Sequence, residues 1–509
     1  MPIQMENLTE RLQRHLGVQQ AQTLNPDDMS ADAIARLVGR RGDVTSLLQL
    51  WDPRSRKDVV VDFRAVEHDA ALAELVRVLD ATIVVQREKS SGRPKTFRPL
   101  CPDLVIQAKA GQLYRELGRS VLDGLWRPLM TKDLGFGEAL RCLVEQWSEQ
   151  HPLARLIKPL CRPLKSQSPD GGGNLAMATA SDQLLGKWID KVVAQDWKAF
   201  IRVAATVSAD EQLDLMNGLV GLHLHMALLH RLRGAEAGSA RPAFFVAATR
   251  SAEEDRACDR GAFNCFNFWR DRALQEMRAV ARQIIRETAR LEPELERALA
   301  GTSWMSVGTW SRTEIRESGK KKRATTDFQR YLQEGITGAE QRGSKPTPEG
   351  VEFVLVTALY NAFDTASGPA TKVKDFLRNT GRAAGIVGPE GAYRRKRYQL
   401  DDRAIEMLAR LHAARPDETI LSDEDERQSV GAFLDDLAER YGMIVTVERE
   451  IARCRVDEAV AGSAGMRALR SHFPSEQAMA LNREFFEARL DVLRCVRRYS
   501  DASSVVHFG

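Results

Sequence analysis

Between Thr371 and Arg403 the chain gathers nine cations: Lys372, Lys374, Arg378, Arg382, Arg394, Arg395, Lys396, Arg397 and Arg403. Four acids oppose them, Asp375, Glu390, Asp401 and Asp402, which leaves +5 in a protein whose formal total is +4. The rest of the chain is therefore close to neutral, and a nucleic-acid function would have to come from local patches. Guanidinium and ammonium groups at this density suit phosphate contacts, which give affinity and orientation rather than sequence choice. Lys374, Arg378 and Arg382 are four apart, and four residues of helix advance 400°, so a drift of about 40° per step keeps them on one face. The run Arg394–Arg397 is flanked by Tyr393 and Tyr398, aromatic groups able to pack on sugar or to anchor a hairpin. A solvated loop between two helices is the plainer alternative for that run.

Other constellations are less specific. Lys320, Lys321, Lys322 and Arg323 follow Gly319 inside a segment, Arg312–Arg330, with seven cations against Glu314, Glu317 and Asp327, a net of +4. It reads either as a flexible DNA-backbone loop or as a disordered surface hairpin. His223, His225 and His230 invite a zinc hypothesis, but on a helix the first two lie about 200° apart and the outer pair about 10 Å apart along the axis. Ligands at about 2 Å cannot be met that way, so core or interface histidines are expected. Cys258 and Cys265, among Phe263, Phe266, Phe268 and Trp269, read as packing. Pro102, Asp103, Gln107 and Lys109 loosely match the acid, amide and lysine set of a PD-(D/E)xK nuclease. Gln107 stands where a second metal-binding carboxylate would normally be, and the spacing from Asp103 is short for the usual hairpin. The chain has no GxxxxGK[ST], HExxH, CxxC or GxSxG, so the usual NTPase, zinc-protease and hydrolase parts are missing, and no cofactor or metal is expected.

Helical periodicity dominates the elements that must position these residues, and the fold class expected is mainly α. Short β-like runs occur at Val59–Phe63, Thr82–Gln86, Met443–Val447 and Ser504–Phe508. Polar stretches at Lys165–Asn174, Ala235–Pro242 and Thr337–Gly350 are candidate linkers that set off an N-terminal half, a central helical block and a C-terminal part, and the domains expected are residues 1–164, 175–336, and two C-terminal modules at 351–421 and 422–509. In the third segment the order is specific: a helix over Val351–Phe363, a basic helix over Thr371–Ala384, a turn over Gly385–Gly391 containing Pro389, a strand over Arg394–Leu400, and a helix from Asp401. That is the order of a winged helix. In the fourth, Ser422 with Asp425 resembles a capping box, and Val430, Phe433, Leu434, Leu437 and Tyr441 keep helical spacing up to Gly442. A strand over Met443–Val447 follows, then a helix over Ser475–Arg497 with Leu481, Phe485, Val492 and Val496 inward, and Ser504–Phe508 placed to pair with the earlier strand. Tandem winged-helix-like α/β modules are expected at the C-terminus, the second of them acidic. Asp401–Glu450 carries fourteen acids against six arginines, −8, a surface suited to a protein partner rather than DNA.

At 509 residues several domains are expected, and seven scattered cysteines fit reduced thiols in a bacterial cytoplasm. Neither a secretory signal nor an apolar run of membrane-spanning length is visible. Gly385–Leu400, the Phe433–Gly442 segment FLDDLAERYG, and Arg498–Asp501 followed by Val505–His507 resemble parts of large proteins from bacterial antiphage defence islands. These are multi-gene systems of the BREX, DISARM, phosphorothioation-linked or methylation-associated kind. The resemblance covers about the last 150 residues. It implies a partner role beside an ATPase, methyltransferase or nuclease, and with the basic segment and the missing enzyme motifs the expected function is a non-enzymatic double-stranded-DNA-binding subunit of such a complex. A protein-only scaffold and a metal-dependent nuclease using Asp103 and Lys109 are the alternatives.

Overall fold

The computed structural model describes residues 41–43, 51, 68–82, 84–87, 94–97, 134–150, 152, 155, 162–164, 186–232, 242–248, 256–290, 293–300, 304, 322–363, 369–389, 395–415, 429–461, 464–498 and 504–506. The nuclease-like set at 102–109, Val59–Phe63, the Ser422 cap, Lys320, Lys321 and Arg394 lie outside them. The protein is mainly helical. In chain order the elements are β1 (Arg41–Asp43), α1 (His68–Thr82), β2 (Val84–Arg87), β3 (Pro94–Phe97), α2 (Leu134–Gln150), β4 (Arg162–Leu164), α3 (Ala194–Ala204), α4 (Ala209–Leu232), β5 (Phe244–Phe245), α5 (Arg256–Ala289), α6 (Pro293–Leu299) and α7 (Lys322–Gln341). Then come α8 (Pro348–Phe363), α9 (Pro369–Ala383), β6 (Val387–Gly388), β7 (Arg397–Tyr398), α10 (Asp402–Ala414), α11 (Val430–Tyr441), β8 (Met443–Ile444), α12 (Glu450–Ala461), α13 (Ala464–Arg470), α14 (Glu476–Val492), β9 (Val496–Arg498) and β10 (Ser504–Val506). No helix among the described residues is long and apolar enough to cross a membrane.

Among the described residues, Asn267–Leu377 form one compact unit and the remainder a second, with the divisions falling inside α5 and α9. In the first unit α7 turns Phe328, Leu332, Ile336 and Ala339 inward, and α8 answers with Val351, Val354, Leu355, Ala358 and Leu359. Gly335 lets the two helices close, since a Cβ there would sit 3.0 Å from Val354. Trp304 donates to the Ser344 carbonyl at 3.1 Å, closing the turn between them. The stretch expected as a linker, Thr337–Gly350, is thus mostly helix, with only 342–347 connecting α7 to α8.

The second unit is organised around α4, which is buried on all sides from Met216 to Leu229 and accordingly lacks an amphipathic pattern. Pro242–Ala248 runs fully buried beside it. β5 pairs in parallel with β8, Phe244 opposite Met443, and Ala247 bridges in parallel to Gln399. Asn482, on the buried face of α14, accepts from Ala248 N–H at 2.8 Å and donates to the Val246 and Val445 carbonyls at 3.0 and 2.9 Å. A single amide thus satisfies three main-chain groups that burial would otherwise leave unpaired.

Two expectations fail here. α14 buries Met479, Asn482, Phe486 and Leu490, while Leu481, Phe485 and Val492 are exposed. The inward stripe is displaced by one residue because its central member is a polar Asn. Ser504–Val506 pairs antiparallel with Val496–Arg498 as a terminal hairpin rather than with β8, whose place is taken by β5. The expected stop at Gly442 is present, with φ of 63° and N–H bonds to the Ala438 and Leu437 carbonyls. A side chain there would also collide with the Pro242 carbonyl, so the same glycine admits β5.

Candidate nucleic-acid interface

α9 begins with Pro at its first position and ends in a paired-bond glycine cap. Gly385 N–H bonds the Arg382 carbonyl at 3.0 Å and Ile386 N–H the Gly381 carbonyl at 2.8 Å, with Gly385 at φ 70°. The chain then reverses through β6 and β7, Val387 opposite Tyr398 and Gly388 opposite Arg397. Asp401 N–H closes the ladder onto the Gly385 carbonyl at 2.9 Å. The Asp401 side chain caps α10 by accepting from Ala404 N–H at 2.8 Å. Burial raises its carboxyl above the ordinary value, against the downward pull of that bond and of Arg403.

This base decides where the cations go. Arg382 lies three residues before the closing pair and Arg403 two after it, and both line a cavity of about 370 Å³ with Arg410 of α10. Asn217 and Gly218 of α4 and Asn379 form part of its wall, with Glu211, Asp214 and Glu406 supplying acid. Arg382 and Arg403 are exposed. Arg410 reaches Glu211 at 3.8 Å, and Glu211 is itself locked to Ser208 in a capping box, its carboxyl held below the ordinary value by the Ser208 bonds. Three guanidiniums, three carboxylates and two amides thus share the cavity, so its formal charge is balanced, while Arg382 and Arg403 reach solvent.

The remaining expected cations are distributed unevenly. Lys374 and Arg378 are half-buried on α9, and Arg378 Nε donates to Asn379 at 3.3 Å. Arg395 is exposed, 5.7 Å above the Phe263 ring. Lys396 donates to the Pro389 carbonyl within its own hairpin. Arg397 is ion-paired with Asp259 at 3.1 Å, both side chains largely covered. Tyr398 is fully buried, 3.1 Å from His225 Nε2 and 4.1 Å centroid to centroid from Phe244. It therefore anchors the hairpin from inside, and burial lifts its phenol well above the ordinary range. Lys322 and Arg323 open α7.

The three histidines are core residues, all buried. His225 meets Tyr398 and Thr380 (3.3 Å), while His223 meets Asp196 at 3.0 Å. Cys258 bonds the Ala478 carbonyl at 3.2 Å, and burial pushes the Cys265 thiol up to about 12. Asp196 is the centre of a network that charge counting along the sequence does not show. Its carboxylate accepts from Arg440 at 2.9 Å, Arg415 at 3.1 Å and Tyr441 O–H at 2.8 Å, besides His223. Asp436 continues it to Arg415 and to His412 at 3.0 Å. Burial pushes both carboxyls upward, but the adjacent guanidiniums outweigh it: Asp196 is held well below the carboxylate range and Asp436 at about 2. Three more acids of the stretch are paired, Asp402 bonding Arg489, Asp435 bonding Arg449, and exposed Glu448 bonding Arg483.

The chain matches no protein-family model, no curated protein and no solved structure.

Proposed function

We propose that this protein is a non-enzymatic DNA-binding subunit of a bacterial antiphage defence complex, working in the cytoplasm beside ATPase, methyltransferase or nuclease subunits. The observation that carries the DNA reading is the convergence of exposed Arg382 and Arg403 at the hairpin base, with Arg395 exposed just ahead of β7. The helix, helix, hairpin, helix order along the chain of α8, α9, β6–β7 and α10 supports reading this segment as a winged helix, and Arg378 is a further cation in the unit that holds the hairpin. Lys320–Arg323 are a second point of phosphate contact in this reading. The defence context rests on the resemblance of the last 150 residues or so.

The test is duplex binding by the full chain with Arg382, Arg395 and Arg403 changed together to alanine. Affinity should fall, and its dependence on salt should flatten by about 0.9 in log–log slope per lost phosphate contact. Binding and slope equal to the unaltered protein would reject the assignment. One observation favours a second reading, docking of a protein partner in a scaffold: Leu481, Phe485 and Val492 form an exposed apolar stripe on α14. Absence of DNA affinity at low salt, with a partner interaction lost on Leu481→Ser and Phe485→Ser, would select it.

A further inference from the structure

α5 carries a feature that lies apart from the hairpin and from every basic run in the sequence. Arg278, Arg282 and Arg286 recur every fourth residue, and Arg290 continues the series one step past the helix, its N–H still bonded to the Arg286 carbonyl at 3.2 Å. All four belong to the Asn267–Leu377 unit and all are exposed. A four-residue step rises about 6 Å, so the ridge extends about 18 Å with a slow drift of about 40° per step. Arg282, Arg286 and Arg290, with Ala279, Gln283 and Glu287, line a groove of about 300 Å³.

The acids near the ridge do not cancel it. Glu352 of α8 pairs with Arg286 and lies 3.7 Å from Arg282, and Glu287 at the flank accepts from Gln283 at 2.9 Å. Four cations thus face two acids. Arg278 stacks 4.5 Å from the centroid of Tyr360, which fixes one end of the row. Like charges four apart on a helix repel, and an exposed helix gains from alternating acid and base instead. A row of one sign, in arginine, has the spacing and planar donors that follow a phosphodiester backbone.

We propose that the Arg278–Arg290 ridge is a further phosphate-backbone surface, in the unit that does not hold the hairpin base, and that duplex DNA lies along it. The inference takes its partner from the DNA-binding reading but uses none of the same residues. Glu352 is then an internal competitor that occupies Arg282 and Arg286 when DNA is absent.

Fluorescence anisotropy of the full chain with a labelled 30-base-pair duplex, across a potassium chloride series, tests it. Changing Arg282, Arg286 and Arg290 together to alanine should lower affinity about tenfold or more at 0.1 M salt and flatten the log–log slope by about 2 to 3. Changing the same three to lysine should keep most of the slope. Glu352→Gln should tighten binding several-fold, a gain that a merely structural ion pair would not produce. If the alanine variant keeps the wild-type slope while the Arg382/Arg395/Arg403 variant loses affinity, the ridge proposal falls and the hairpin reading stands. If only the ridge variant loses affinity, the ridge stands and the hairpin assignment falls. If the unaltered protein binds no duplex at low salt, both fall. Circular dichroism and melting of each variant separate these outcomes from misfolding.

Discussion

Arg415 and Arg440 have the same side chain as Arg382 and Arg403, yet the two pairs occupy opposite physical situations within one unit. The first pair is nearly solvent-free, held between Asp196 and Asp436 with Tyr441, His223 and His412 completing the bonds. The second is exposed at the base of a hairpin, Arg403 lying 3.6 Å from Asp401. A buried guanidinium is fixed because its partners are all that replaces water. An exposed one keeps its solvation and can exchange it for a phosphate. Composition assigns both pairs to the same basic inventory, but burial decides which is held in the core and which reaches solvent.

The comparison can be broken most sharply at its buried end. Asp196→Ala leaves Arg415 and Arg440 with a missing partner in the interior, and removing one member of such a cluster costs about 3–5 kcal/mol. Urea unfolding should show that loss, and a change within about 0.5 kcal/mol would mean that the cluster is not what joins α3 to α10 and α11. Acid is the next largest lever. The Asp436 carboxyl is held at about 2 against an ordinary 3.8, and Asp196 is shifted in the same direction. A depressed folded-state value means that the unfolded chain binds protons first as pH falls. The stabilisation is therefore present above about pH 4 and lost on descending toward pH 2, by about 2 kcal/mol from Asp436 at ~1.4 kcal/mol per unit. Unfolding free energies measured from pH 6 down to pH 3 should begin to fall below pH 4, and a flat profile would contradict the network. Tyr441→Phe removes the bond donated to the charged Asp196 and the one accepted from Arg415 at 2.9 Å, and should cost about 2 kcal/mol. At the exposed end, changing Arg382, Arg395 and Arg403 to alanine should move stability by no more than about 0.5 kcal/mol.

How much of this could be read in the sequence depends on whether the deciding partner is a neighbour along the chain. The helices over Val351–Phe363 and Thr371–Ala384, the start at Asp401 and the stop at Gly442 rest on local signals of periodicity, capping and glycine, and each has its structural counterpart. The inward face of α14 was misread because Asn482 serves three main-chain groups that come from β5 and β8. The run Ala243–Ala248 had a usable signal, a short continuous apolar stretch of the kind buried strands show, but its place between β8 and β7 needs contacts some 150 to 200 residues away. Asp259 takes Arg397, and Asp196 takes Arg440, across similar separations. A windowed charge count treats all of these residues as surface. The ridge on α5 was hidden for the converse reason, since its arginines are spaced by helix geometry and never form a run.

The central claim is that exposed guanidiniums at the hairpin base meet phosphate, whereas buried ones hold the core. The most direct measurement records melting temperature and the salt dependence of duplex affinity together, for the unaltered chain and the Arg382/Arg395/Arg403 alanine variant. An unchanged melting temperature and a log–log slope shallower by up to about 2.7, three contacts at ~0.9 each, are expected. An unchanged slope would contradict it.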